Sequence, residues 1–169
     1  VISGDNLTMD SDYCNDVRSD YETMEMMTLS KDAFDEAFHS DEEIWLGYFS
    51  GSKTHKKDFD LISDVIRKLM SEDERVHLMI VGELKSEGFE QFDTRIEKHG
   101  FVEWQDLPAL IAAVDINLMP LEDSEFHWCK SENKWMEAAL VHIPSVISDN
   151  PELRARINDK EDGYLCSTE

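Results

Sequence analysis

The sequence predicts an α/β fold, a parallel sheet covered by helices on both faces. Three observations carry that expectation. From Ile44 onward, short apolar runs alternate with segments of helical period about five times. Runs such as IWLGYF (44–49) and VHLMIVG (76–82) show no polar alternation, as expected of strands buried on both faces. The runs also stop on Ser50-Gly51, Gly82 or Pro120, and the stretches between them are long enough for helical crossovers. Right-handed crossovers then give a doubly wound, Rossmann-like sheet.

Each element follows from its own pattern. KDFDLISDVIRKLM (57–70) places apolar residues at 59, 62, 65, 66, 69 and 70, which is helical spacing. GFEQFDTRIEKH (88–99) reads as a helix closed by Gly100, and FVEW (101–104) as a short strand. LPALIAAV (107–114) reads as a helix, and DINLMP (115–120) as a strand stopped by Pro120. Ser131 is placed to cap a helix that continues to about His142. Met136, Ala138, Ala139, Leu140 and Val141 predict that this helix is largely buried. PSVIS (144–148) is the next strand, PELRARIND (151–159) a helix with proline in its first turn, and GYLCS (163–167) closes the pattern. No internal repeat or low-complexity linker follows residue 44.

Residues 1–43 have a different texture. They are crowded with Asp and Glu, and a weak helical pattern runs through Tyr21, Met24, Met27, Phe34 and Phe38. They read as an acidic, partly helical lead-in, with a disordered acidic arm as the competing reading. Residues 44–169 form the domain proper. The chain starts at Val1 rather than Met, so a fragment of something longer is expected.

The composition narrows the function. The 169 residues suit one domain, and 41% hydrophobic content supports a real core. With 38 acidic residues against 16 basic ones, the formal net charge is -22. Such a surface repels phosphate backbones, so a broad nucleic-acid interface is not expected, and any basic pocket must be local. Cys14, Cys129 and Cys166 are odd in number and far apart, which fits neither a zinc site nor a disulfide framework and points to a reducing compartment. The longest apolar stretches are strand length, so neither a transmembrane helix nor a secretory signal is expected.

In an open parallel sheet, ligands bind beyond the carboxyl ends of the strands. Three loops there are informative. SGSKTHKKDF (50–59) offers Gly51, Ser52 and the cations Lys53, Lys56 and Lys57, a set that lets backbone N–H groups approach an anion. The spacing is neither a Walker A motif nor a dinucleotide fingerprint, and a solvated basic loop balancing the acidic surface would look the same. EWQDL (103–107) brings Trp104 and Gln105, which could flank a flat base; a merely buried tryptophan is the alternative. LEDSEFHWCKS (121–131) leads into a helix start at Ser131, with Lys130 before it and Lys134 and Glu137 at i, i+3 on the next turn. A helix start with two cations suits a diphosphate, and a carboxylate one turn on suits sugar hydroxyls. A plain surface Lys–Glu pair is the alternative.

Taken together, three segments resemble the C-terminal half of group 1 (family 4-like) retaining glycosyltransferases of the GT-B fold. They are IWLGYFSGSKTHKKDFDLI (44–62), GFVEWQDLPALIAAVDINLMPLE (100–122) and CKSENKWMEAALVHIPSVIS (129–148). The resemblance implies one half of a GT-B fold and a nucleotide-sugar donor site. It gives Glu137 the ribose-binding role of the second glutamate of the family's pair, and it puts Cys129 where the first glutamate stands. Glu125, on the same loop, is the candidate to stand in for that glutamate. Lys130 and Ser131 correspond to residues at the diphosphate, and Lys57 to a lysine that holds donor phosphate, with Gly51 and Ser52 as the small residues beside it.

The resemblance further implies sugar transfer with retention to an acceptor hydroxyl, in glycan or cell-surface polysaccharide synthesis. It implies no cofactor or metal; Asp123-Ser124-Glu125 only superficially resembles a metal-binding Asp-x-Asp. The acceptor, a glycan or lipid, would meet a further N-terminal domain, to which any catalytic residue would belong. The expected location is the cytoplasm, free or peripheral to the inner face of the membrane. The alternative is a non-catalytic Rossmann-like interaction module or a degenerate glycosyltransferase domain. A receiver domain fits poorly, because the first strand is followed by lysines rather than acids.

Overall fold

Why IWLGYF carries no polar residue is answered by where its side chains go. Trp45 and Phe49 enter one hydrophobic cluster, with Ile111, Val114, Ala138 and Val141, while Leu46 and Tyr48 enter another, with Phe59, Ile66, Met70 and Phe89. Successive residues of a strand point to opposite faces, so both faces of this strand are covered. Between them, Gly47 leaves no room for a side chain: a Cβ would lie 2.6 Å from Phe49 Cε2 and 2.8 Å from Val114 Cγ2.

The computed structural model describes residues 43–50, 56–84, 87–124 and 132–167. The readings made on the acidic lead-in up to residue 42, on Gly51, Ser52 and Lys53, and on Glu125, Cys129, Lys130 and Ser131 lie outside those residues. Within them, β1 is Ile44–Phe49, β2 Val76–Val81, β3 Ile96–His99, β4 Ile116–Met119, β5 Ser145–Ser148 and β6 Tyr164–Cys166. They form one sheet in the order β3-β2-β1-β4-β5-β6, and every pairing is parallel. The helices are α1, Lys56–Glu72; α2, Leu107–Ala112; α3, Asn133–Leu140; and α4, Pro151–Arg154. The strand order reverses between β1 and β4, which creates a switch point at the carboxyl ends of the central strands. This is the doubly wound, Rossmann-like architecture expected from the sequence.

Packing seats the helices. Phe59, Ile66 and Met70 of α1 are buried against β1 and β2, and full burial of each such side chain stabilises by about 1.5–3 kcal/mol. The far end of α1 is fastened by Arg95, whose guanidinium donates to the carbonyls of Met70 (2.7 Å), Asp73 (3.1 Å) and Val76 (3.1 Å) and lies over the Phe92 ring. Asn150 caps α4, its side chain accepting from the Leu153 N–H at 2.9 Å ahead of Pro151.

Four sequence expectations are corrected. The helix expected over 151–159 spans only Pro151–Arg154. The helix expected over 88–99 is a 3-10 helix, Glu90–Arg95, followed directly by β3; Phe92 has non-helical φ/ψ inside it. The strand expected over 101–104 is instead loop and turn, because the edge of the sheet is taken by IEKH just before Gly100. Edge strands need no apolar run, and charged residues such as Glu97 and Lys98 suit an edge that meets water. Finally, α3 begins at Asn133 with Glu132 at its cap position, and of its own residues only Ala138 is fully buried; Met136 and Leu140 are exposed. It rests on the sheet by a narrow face, and the chain turns away at His142, which has a left-handed φ of 63°.

Candidate functional site

Beyond the carboxyl ends of β1 and β2 lies a cleft of about 320 Å³. Phe49 and Ser50 line it from the end of β1, and Val81 and Gly82 from the end of β2. The segment after β3 contributes Phe101, Val102, Glu103 and Trp104, and α2 contributes Leu107. Across from them stand Lys134 and Glu137 of α3. The cleft is thus mostly apolar and aromatic, with a few charged groups to orient what enters it, the usual make-up of a small-molecule site.

Gly82 is essential to its shape. Its φ is +108°, and a Cβ there would lie 1.9 Å from the Ser50 carbonyl oxygen. Its N–H donates to the His99 carbonyl at 3.0 Å. Only glycine lets the end of β2 close so tightly against the end of β1.

Lys134 is held from two sides. Its ammonium stands 5.5 Å from the centroid of the buried Tyr48 ring, and its carbonyl accepts a long hydrogen bond (3.4 Å) from Asn117 Nδ2, which also donates to Ser145 Oγ at 2.9 Å. One turn on, partial burial pushes the Glu137 carboxyl above its ordinary pKa, and the nearby Lys134 charge opposes that rise. The pair therefore presents a cation and a poised carboxyl acceptor to the same cavity.

Not every predicted residue joins them. Trp104 does, and its 54% exposure removes the alternative of a core tryptophan. Gln105 is exposed and lies outside the cleft lining. Lys57 sits in the first turn of α1, at the same end of the sheet but outside the cleft, with its ammonium 3.9 Å from the Glu122 carboxylate. Sequence reasoning did not single out Phe49, Ser50, Gly82, Val81, Phe101, Val102, Glu103 or Leu107, although Ser50, Glu103 and Leu107 lie in loops it placed at the ligand end. The first three could have been found, since they end strand runs where a ligand must approach. Phe101 was hidden by its reading as a strand residue, whereas it is 70% exposed at the cleft mouth.

A six-stranded parallel sheet with this strand order, and a cleft beside its switch point, define a doubly wound, Rossmann-like domain with its ligand site at the strand ends. The sequence model of the family described as glycosyl transferases group 1 matches residues 44–169, and the chain belongs to that family. No curated protein matches the chain by sequence.

Solved structures share its fold. HepE from Anabaena, in complex with UDP and glucose, is 18% identical with a TM-score of 0.57, covering 82% of this chain and 38% of HepE. The pneumococcal O-GlcNAc transferase GtfA, in complex with UDP and GlcNAc, is 19% identical with a TM-score of 0.58, covering 76% of this chain and 25% of GtfA. The C-terminal domain of the group 1 glycosyl transferase LpcC from Francisella tularensis is 18% identical with a TM-score of 0.53, covering 75% of this chain and 68% of that domain. The chain spans well under half the length of HepE and GtfA. No helix among the described residues is long and apolar enough to cross a membrane.

Proposed function

We propose that this chain is the nucleotide-sugar donor-binding part of a retaining glycosyltransferase. One observation carries the reading: Lys134 and Glu137 converge with Trp104 on one cleft beside the switch point of the sheet. The volume suits a nucleoside, with the phosphates extending past Lys134. Trp104 and Phe101 offer flat apolar faces to a base. Glu137, when ionised, accepts from two neighbouring hydroxyls of a ribose. Lys134 places positive charge where a diphosphate would pass, and Lys57 adds a second cation at the same end of the sheet. A leaving nucleoside diphosphate gains negative charge as the sugar departs, and fixed cations stabilise that charge. HepE and GtfA, solved with UDP and a sugar, support the assignment of ligand class.

The acceptor and any proton-transferring group belong to a further domain in this reading, so the chain binds donor without transferring sugar. Calorimetric titration with UDP, GDP, ADP and dTDP tests it. One of the four should bind, and Glu137→Ala and Lys134→Ala should each weaken that binding at least tenfold. Binding of none overturns the donor-site reading in favour of a non-catalytic interaction module. Sugar transfer by the isolated chain overturns the division of labour.

A further inference from the structure

Asp58 is a charged side chain only 1% exposed, in the first turn of α1, and the donor-site reading gives it no role. A buried carboxylate is costly unless hydrogen-bonded, so its partner matters. Its Oδ1 accepts from the main-chain N–H of Glu122 at 3.0 Å, across 64 positions of sequence. The preceding N–H, that of Leu121, donates to Ser148 Oγ of β5 at 2.9 Å. Two consecutive amides just after β4 are therefore held by side chains of two different elements, α1 and β5. Phe59, the next residue, packs on the Tyr48 ring with centroids 4.9 Å apart, and Tyr48 carries the Lys134 ammonium on its ring. The carboxylate thus stands between the turn that carries Lys57 and the segment that leaves β4 for α3.

We infer that Asp58 is a positioning residue of the donor site, which locks the first turn of α1 to the segment leaving β4 and so sets the spacing of Lys57 from Lys134 and Glu137. Its neighbour Ser148 does the same for the Leu121 amide from the β5 side. Charge on Asp58 strengthens the bond to the Glu122 N–H, and its place in the first turn of α1 favours a negative group. The inference rests on the donor-site reading for its functional consequence, but the bond itself can be observed without any ligand.

The test compares the parent chain with Asp58→Ala and Asp58→Asn, which keeps an acceptor oxygen. Amide hydrogen exchange, read by NMR without ligand, should accelerate at Glu122 at least tenfold in Asp58→Ala and much less in Asp58→Asn. Titration with UDP, GDP, ADP and dTDP, well below the unfolding temperature, should show the best ligand bound about tenfold more weakly by Asp58→Ala and within threefold of the parent by Asp58→Asn. A purely structural carboxylate would lower the unfolding temperature and leave the affinity of the folded chain unchanged, which overturns the inference while the donor-site reading stands. If the parent binds none of the four, the donor-site reading fails and this role falls with it, whatever the exchange data show. Should Asp58→Ala not fold, Ser148→Ala carries the same comparison, with exchange read at Leu121; unchanged affinity there overturns the inference.

Discussion

Glu137 carries two opposing influences, and they make its titration informative. Burial raises its pKa, and Lys134 restrains the rise. A carboxyl with a raised folded-state pKa holds its proton more tightly folded than unfolded. Between the ordinary value and the raised one, the folded state binds more protons, so the contribution of Glu137 to stability falls as pH rises through that window. Glu137→Gln removes the dependence. Thermal unfolding of the parent and the glutamine variant, followed upward from about pH 4.5, should show the parent losing stability relative to the variant. A constant difference across that range would mean that Glu137 is not desolvated. Lys134→Met should widen the window, since it removes the charge that favours the ionised form.

At the scale of elements, the molecule depends on a few polar fasteners between otherwise apolar layers. Arg95 is the clearest, because one guanidinium serves three carbonyls at the junction of α1 and β2. Hydrogen bonds to a charged group are each worth about 1.5–3 kcal/mol and are not additive. Arg95→Met keeps much of the contact with Phe92 and removes the donors, so chemical denaturation should show a loss of about 2 kcal/mol with an unchanged denaturant slope. A loss within about 0.5 kcal/mol, the usual range for surface changes, would show that solvent replaces the three bonds. The same scale separates what was legible in the sequence from what was not. The continuous runs of β1 and β2 announced themselves because both their faces are covered. IEKH did not, because an edge strand beside an exposed 3-10 segment has no hydrophobic period to read. The helix α3 was found, but its burial was overestimated: Met136 and Leu140 are apolar in sequence and exposed in place.

For the whole molecule, charge is the governing quantity. A net charge of -22 on 169 residues opposes compaction, and the ion pairs of the described residues are largely exposed. Salt screens the long-range repulsion more than it harms such pairs, with a Debye length of about 10 Å at 0.1 M. Raising sodium chloride from low concentration to physiological strength should therefore lift the unfolding midpoint by about 2–4 °C, the equivalent of roughly 1 kcal/mol for a chain of this size. A midpoint that falls with salt would show that local pairs outweigh the net repulsion.

The amino-acid order by itself determined the parallel α/β class, the covered central strands and the presence of Lys134 and Glu137 on one side of a helix. These depend on local period and spacing, which a linear chain displays directly. Only the tertiary structure decided that Trp104 meets that pair, that Gly82 must close against Ser50, and that Lys57 faces Glu122 outside the cleft. Those outcomes depend on which strand lies beside which, and on how loops separated by tens of residues share one end of the sheet. Local pattern carries no information about that proximity until the strands are paired.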